Sequence, residues 1–281
     1  MNNKTNRKTE SGVSIRVEMI RQLTLVLLLA AELIIFAFMT QNFFTTSNMI
    51  NVLRQVSITG ISSLGMFMII LLGDIDLSVG SMYAFIGVIS AIVFKTTEST
   101  CLTLIVALAL GIAIGLFNGI FTAKFRVPAF ITTLATMSIC RGFAYIITGG
   151  SPIGVTNPKF TFLGTGYVFN LIPLPVIFMI IVLILGMILV KHTRFGRYIY
   201  SCGGNAQAAK WSGINVDKIR ITVYVIAGFL NGFAAIILAG RLGGGLPATG
   251  GQKWMLLQRL CWEEPVCLEE KANFGELSWV C

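Results

Sequence analysis

Seven apolar runs, most of them near 18 residues long and almost free of charge, govern what this chain can become: Leu23–Thr40, Gln55–Leu72, Ser81–Phe94, Leu102–Phe121, Ala129–Ile147, Leu171–Val190 and Ile221–Gly240. A helix of about 20 residues crosses a hydrocarbon core of about 30 Å. In lipid, only helices and closed barrels satisfy every backbone donor and acceptor. The chain therefore reads as an all-α polytopic membrane protein with about seven transmembrane helices. Composition agrees, with 55% hydrophobic and only 12% charged residues, against about 25% charged in a soluble domain. The net charge of +9 then reports topology rather than nucleic-acid binding. The first run is too long for a cleavable leader, and further spans follow it.

The longest polar interruption, Lys191–Arg220, carries Lys191, Arg194, Arg197, Lys210, Lys218 and Arg220 against a single acid, Asp217. Basic loops lie on the cytoplasmic side, and the basic segment Met1–Gln22 joins this loop there. Alternating the spans then puts Lys124 and Arg126 inside, and the outer loops between the spans hold only Arg54, Lys95 and Lys159. Gln41–Leu53, Lys95–Cys101 and Thr148–Asn170 become outer connections. Within the basic loop, Asn205–Ser212 is Ala-rich and ends at Gly213, a natural helix stop. Helix connections usually take about 2–8 residues, so this loop exceeds what closing a hairpin requires. It is expected to receive a push from a soluble partner.

Gly73-Asp74-Ile75-Asp76-Leu77-Ser78-Val79-Gly80 interrupts the second and third runs. It falls on the inner side, yet no basic residue lies near it in sequence. Two readings stand: a helix junction in which Asp76 or Ser78 caps the next helix, or a broken helix beside a conduction path. The candidates for lining such a path are Asp74, Asp76, Ser78, Asn118, Thr136 and Asn231, with Phe143 and Tyr145 as aromatic surfaces. Glu32, inside the first span, is expected to face protein or water. Ser57, Thr59, Gly60, Ser62, Ser63 and Gly65 give the second span a small-residue face. Gly111, Gly115 and Gly119 form a small-residue ridge, read as packing within one subunit in preference to a dimer seam. Cys101, Cys140 and Cys202 have no metal-ligand spacing and read as small apolar fillers. The lone histidine, His192, sits in the basic loop. No nucleophile–base or metal constellation marks an enzyme, and no phosphate-binding Gly-x-x-x-x-Gly-Lys-Ser/Thr loop is present.

These motifs carry a resemblance. Gly73–Ser81 resembles the acidic motif of ribose-type permeases of bacterial ABC importers. The stretch His192–Tyr200, followed by Gly203-Gly204-Asn205 and Ser212-Gly213-Ile214-Asn215, is similar to that family's ATPase-facing loop. Pro128–Leu134, Arg141-Gly142 and Gly149–Pro152 look like it too, and the likeness runs from about Asn42 to Gly251. The resemblance implies about ten membrane helices, a homodimer in the bacterial inner membrane, two cytoplasmic ATPases that bind the ATP, and an extracytoplasmic sugar-binding protein delivering ribose or a similar monosaccharide. It makes Gly203, Gly204, Asn205, Ala208, Ala209, Ser212, Gly213 and Ile214 the ATPase-coupling residues. The rival reading is an ion-coupled secondary transporter or channel using Asp74 and Asp76.

The likeness stops near Leu256. Leu257–Cys281 holds three cysteines, two tryptophans and five glutamates, whereas the preceding 256 residues hold seven acids in all. Reading the third base of each codon as the first of a new frame, Cys261-Trp262-Glu263 forces Leu-Gly. Freely chosen degenerate bases then permit Leu-Gly-Gly-Thr-Ser-Leu-Ser-Gly-Gly, which looks like the Gly-rich motif the family carries here. The tail is therefore expected to be a frameshifted, non-native sequence. Its paired glutamates, Glu263-Glu264 and Glu269-Glu270, have no histidine beside them and are not read as a metal site.

Overall fold

A computed structural model describes residues 43–168 and 172–249, together with positions 23, 24, 27, 28, 31, 34 and 35. The basic N-terminal segment, most of the expected first span with Glu32, and the expected non-native tail lie outside the described residues. The chain divides into two units, 1–52 and 53–281, and the second carries the helix bundle.

Among the described residues, six helices are long and apolar enough to cross a membrane. They are α1 (Thr46–Leu71), α2 (Val79–Thr97), α3 (Thr100–Ala123), α4 (Ala129–Thr148), α6 (Leu174–His192) and α9 (Val216–Leu242), with three short helices, α5 (Pro158–Thr165), α7 (Arg194–Gly204) and α8 (Ala206–Trp211). Each of the six covers one of the expected runs, but the boundaries shift. The connector expected over Gln41–Leu53 is helical from Thr46, and the outer loop expected over Lys95–Cys101 shrinks to Glu98 and Ser99. A helix already formed tolerates the Thr, Asn and Lys residues that an apolar count excludes, at well under about 1 kcal/mol each. The loop expected over Lys191–Arg220 likewise narrows to Thr193–Asn215, because α6 runs through His192 and α9 begins at Val216. Thr148–Asn170 is not a plain loop, since α5 and the strands β1 (Ile153–Gly154) and β2 (Tyr167–Val168) lie within it; β2 pairs with β3 (Ile172–Pro173).

The glycine ridge of α3 explains the central packing. A Cβ on Gly111 would lie 2.3 Å from the Gly228 carbonyl oxygen, one on Gly115 2.3 Å from that of Tyr224, and one on Gly119 3.0 Å from the Cα of Ile221. The order of partners shows α3 and α9 running antiparallel with their backbones in direct contact, so the ridge serves packing within the chain. In lipid this close approach supplies van der Waals contact that hydrophobicity does not. The small face of α1 works the same way. Gly65 meets Ala227, and the side chain of Met179 lies against Gly60. Ile61, Met68, Ile86, Val88, Val223, Ala234 and Ile237 fill the core with almost no exposure.

The ends of these helices sort by charge. Lys124, Arg126, Lys191, Arg194, Arg197, Lys210, Lys218 and Arg220 lie at one end, with α7 and α8; we call it the basic end. At the opposite end, Gly164 of α5 packs on Gly240, Arg54 donates to the Thr165 carbonyl at 2.6 Å, and Thr100 donates to the Lys159 carbonyl at 3.3 Å. After α9 the chain turns at Gly243 (φ +68°) into β4 (Gly244–Gly245), which pairs antiparallel with β1, Ile153 opposite Gly245 and Gly154 opposite Gly244. A Cβ on Gly245 would lie 2.5 Å from the Cα of Val88, so this strand folds back onto the middle of α2. Of the cysteines read as fillers, Cys140 and Cys202 are buried, but Cys101 is exposed at the start of α3 and fills nothing.

Candidate functional site

The helix break lies where α1 stops at Leu71 and α2 starts at Val79. Gly73 makes the turn with φ +78°, a conformation that side chains disfavour. Beyond it the carboxylate of Asp76 turns inward, 4% exposed. Its Oδ1 accepts from the Ser78 amide at 2.8 Å and from the Ser78 hydroxyl at 2.5 Å. Of the two expected caps, Ser78 occupies the cap position without a side-chain capping bond, its hydroxyl donating to Asp76 instead, while Asp76 accepts the Ser78 amide just before α2 begins.

From Ser78 the bonding continues into two other helices. Asn118 of α3 donates from Nδ2 to Ser78 Oγ at 3.2 Å, and Thr136 of α4 donates from Oγ1 to Asn118 Oδ1 at 2.5 Å. The Thr133 hydroxyl lies 2.8 Å from the Ala129 carbonyl and 3.3 Å from that of Ile75, adding a tie to the break itself. Four of the six expected path residues, Asp76, Ser78, Asn118 and Thr136, therefore form one buried knot that holds the irregular segment against α3 and α4. Burial raises the Asp76 carboxyl above its ordinary range, and the two bonds from Ser78 oppose that shift.

Asp74 takes a different partner. Its Oδ2 lies 3.1 Å from Nε of Arg220 on α9, with the two side chains 11% and 25% exposed. Neither atom has an aligned hydrogen bond, so the contact is an ion pair held by charge. Burial raises the Asp74 carboxyl, and Arg220 pulls it back down. The pair supplies the basic neighbour that the sequence around the acidic break lacks. It borders a cavity of about 310 Å³ at the basic end, also lined by Thr122, Arg126, Pro128 and Asp217. Asn231 does not join the knot: it is 1% exposed and its Oδ1 has no partner. Phe143 and Tyr145 are exposed on α4.

The loop at the basic end is ordered by its caps. Thr193 accepts from the Gly196 amide to start α7, and Asn205 accepts from the Ala208 amide at 2.9 Å to start α8. α8 ends as Gly213 takes φ +84° and the Ile214 amide donates to the Ala209 carbonyl at 3.1 Å. Ala209 is buried, while Asn205, Ala208, Ser212 and Gly213 are exposed. Gly203 is exposed on one side only: a Cβ there would lie 1.7 Å from the Leu71 carbonyl oxygen. Gly204 faces open space.

Three residues placed at these elements were not legible from sequence as site candidates. Arg220 was visible only as one more loop cation. Trp211, at the end of α8, is 81% exposed, and an apolar residue inside a polar loop was the signal that pointed to it. Arg141, a cation midway along α4, donates to the Ser81 hydroxyl and the Pro247 carbonyl, each at 3.4 Å, pinning the segment after β4. A cation within a span is expensive unless it finds partners, and these two acceptors supply them.

Comparison with known proteins adds to this geometry. A family model described as branched-chain amino acid transport system / permease component matches residues 48–257. The chain is 39% identical to the ribose import permease protein RbsC of Haemophilus influenzae over 213 residues, 74% of this chain and 66% of the relative. It is 41% identical to RbsC of Escherichia coli strain K12 over 216 residues, 75% and 67% of the two. It is 37% identical to the L-arabinose transport system permease protein AraH of the same strain over 244 residues, 87% and 74% of the two. The matches thus cover about two thirds of the length of the ribose permeases. No solved structure matches the chain.

Proposed function

Because this chain belongs to the family of branched-chain amino acid transport system permease components, we propose that it is the membrane-embedded permease subunit of an ATP-binding-cassette importer that moves a monosaccharide, ribose or a similar sugar, across the bacterial inner membrane. The sugar relatives, at 37–41% identity, favour a sugar over the amino acids in the family's description. The observation that carries the reading is the two-helix basic loop. Its caps fix α8 outward with Trp211 exposed, and its base rests on the helix break through Gly203. A span-rich chain needs no such handle unless something grips it.

In this reading the basic end and the N-terminus face the cytoplasm, as the sorting of lysines and arginines supports. ATP is bound and hydrolysed by a partner ATPase docked on α7 and α8, and the permease itself is not an enzyme. A second copy completes the pathway, and a secreted sugar-binding protein loads it from the opposite end. Asp76, Ser78, Asn118 and Thr136 hold the broken helix beside that pathway, while Asn231 lines it from α9. The last 25 residues, Leu257–Cys281, are a frameshifted tail; sequencing the gene and finding no family-like second frame removes that part. An ion-coupled carrier using Asp74 and Asp76 is disfavoured because Asp74 is already neutralised by Arg220 and Asp76 is buried.

The test is reconstitution in proteoliposomes with an ATPase subunit and a secreted sugar-binding protein of the ribose-importer class. Uptake of labelled ribose or arabinose is expected to require all three components and ATP. Uptake that persists without the ATPase, or an ATPase that never copurifies with the chain, overturns the proposal.

A further inference from the structure

We infer that the Asp74–Arg220 pair is a clasp that delivers movement of the basic loop to the helix break, with both side chains acting as positioning residues. The inference rests on the reading of that loop as ATPase-facing.

The loop grips one segment from two sides. On its N-terminal side, α7 ends with Gly203 against the Leu71 carbonyl, so close that a methyl group would sit 1.7 Å from it. On its C-terminal side, Asn215 caps α9 by accepting from the Lys218 amide at 3.0 Å, and Arg220 projects from the second turn to Asp74. The start of the break is thus held between the end of α7, at Leu71 and Leu72, and the start of α9, at Asp74. Residues 72–78 lie outside any helix, between the end of α1 and the start of α2, so they can shift without breaking helical hydrogen bonds. Their far end is tied through Asp76 and Ser78 to Asn118 and Thr136 on two other helices. A push on α8 therefore reaches the start of α2 by packing at Gly203 and by charge at Arg220.

The pair is also built to let go. It is the only ion pair among the described residues, and it lacks hydrogen-bond alignment. The cavity beside it holds a second cation, Arg126, and a second acid, Asp217. Separation of Asp74 from Arg220 leaves each charge beside a cavity that also carries a charge of opposite sign, Arg126 or Asp217. An element with two such arrangements is what coupling between distant sites requires. This use also accounts for the acid at Asp74, which would otherwise be an uncompensated carboxylate at the end of a span.

Two measurements test the clasp. The first uses amide hydrogen exchange of the full chain in lipid nanodiscs and needs no partner. Asp74→Asn and Arg220→Gln are each expected to speed exchange over residues 72–78 by about tenfold or more, with α6 unchanged, and Asp74→Arg combined with Arg220→Asp is expected to restore protection. Unchanged exchange in both single variants overturns the clasp. The second uses the reconstituted importer. Arg220→Gln is expected to keep its copurifying ATPase and its ATP hydrolysis while sugar uptake falls about tenfold or more, and the reversed pair is expected to recover uptake. A purely structural defect would lower ATPase association as well. Full uptake by Arg220→Gln with the ATPase bound overturns the clasp and leaves the proposed function standing. Failure of the unaltered chain to bind any ATPase overturns the proposed function and with it the delivery role assigned to the clasp.

Discussion

Replacing Gly115 by alanine offers the sharpest check on the packing described above. The added methyl would lie 2.3 Å from the Tyr224 carbonyl oxygen and 3.1 Å from the Cα of Gly228. Real Cβ atoms do not approach other atoms within 3.0 Å, and both obstacles are backbone, so α9 itself must retreat from α3. Overpacking costs about 1–3 kcal/mol; with no flexible side chain to yield, we take the upper half, about 2–3 kcal/mol. At about 2–4 °C per kcal/mol for a chain of this size, the clash alone lowers the melting temperature by about 4–12 °C relative to a Gly→Ala control that meets no neighbour. The control is Gly142→Ala on α4, whose methyl meets nothing within 4 Å. Both substitutions gain the same helix propensity, about 1 kcal/mol, so their difference isolates the clash. The assay is thermal unfolding in nanodiscs, followed by thiol labelling of buried Cys140 and Cys202, with Cys101 as the exposed background. Equal melting temperatures for the two variants would refute the claim that α3 and α9 touch backbone to backbone.

Asp76→Asn keeps an acceptor for Ser78 and is expected to melt close to the unaltered chain, whereas Asp76→Ala leaves the Ser78 amide unmatched at a cost of about 1–3 kcal/mol; the two melting curves decide it. Burial raises the Asp76 carboxyl above its unfolded value of 3.8, so the folded chain holds that proton more tightly, and stability is expected to fall as pH rises from about 4 through the raised value. Melting across a pH series should show this loss in the unaltered chain and a smaller one in Asp76→Asn. Trp211→Ala removes a side chain 81% exposed, so its effect on melting should stay within about 0.5 kcal/mol, while copurification of the ATPase drops sharply, as expected when an aromatic anchor is lost. Gly213→Ala forces a side chain into φ +84° at a cost of about 1 kcal/mol, and faster amide exchange confined to α8 and its C-cap is the expected sign.

Much of this was legible because lipid leaves few options. Apolar length located six described helices, and charge sorted their ends. Asn205 and Gly213 announced α8 through the two conformations that start and stop a helix. The three glycines of α3 implied a close neighbour, and the structure supplies α9. Local signals failed wherever the partner lies far along the chain. Nothing near Asp74 points to Arg220, and nothing near Arg141 points to Pro247. The expected path residues were chosen only for polarity, so a knot that bonds Asp76, Ser78, Asn118 and Thr136 together was indistinguishable from a lining that includes Asn231. The helix starting at Thr46 was masked by Asn48, Asn51 and Arg54, which are compatible with a helix but not apolar.

The two-residue ladder between β1 and β4 also sets a timetable. Ile153 and Gly154 reach their partners, Gly245 and Gly244, only after about 90 further residues have been made, roughly 5–20 s of ribosomal work. During that interval the connection after α4 has no strand to pair with, and Gly245 is not yet seated against Val88. This stitch therefore closes only after all six described spans have been made, and until then Ile153–Gly154 is an unpaired edge.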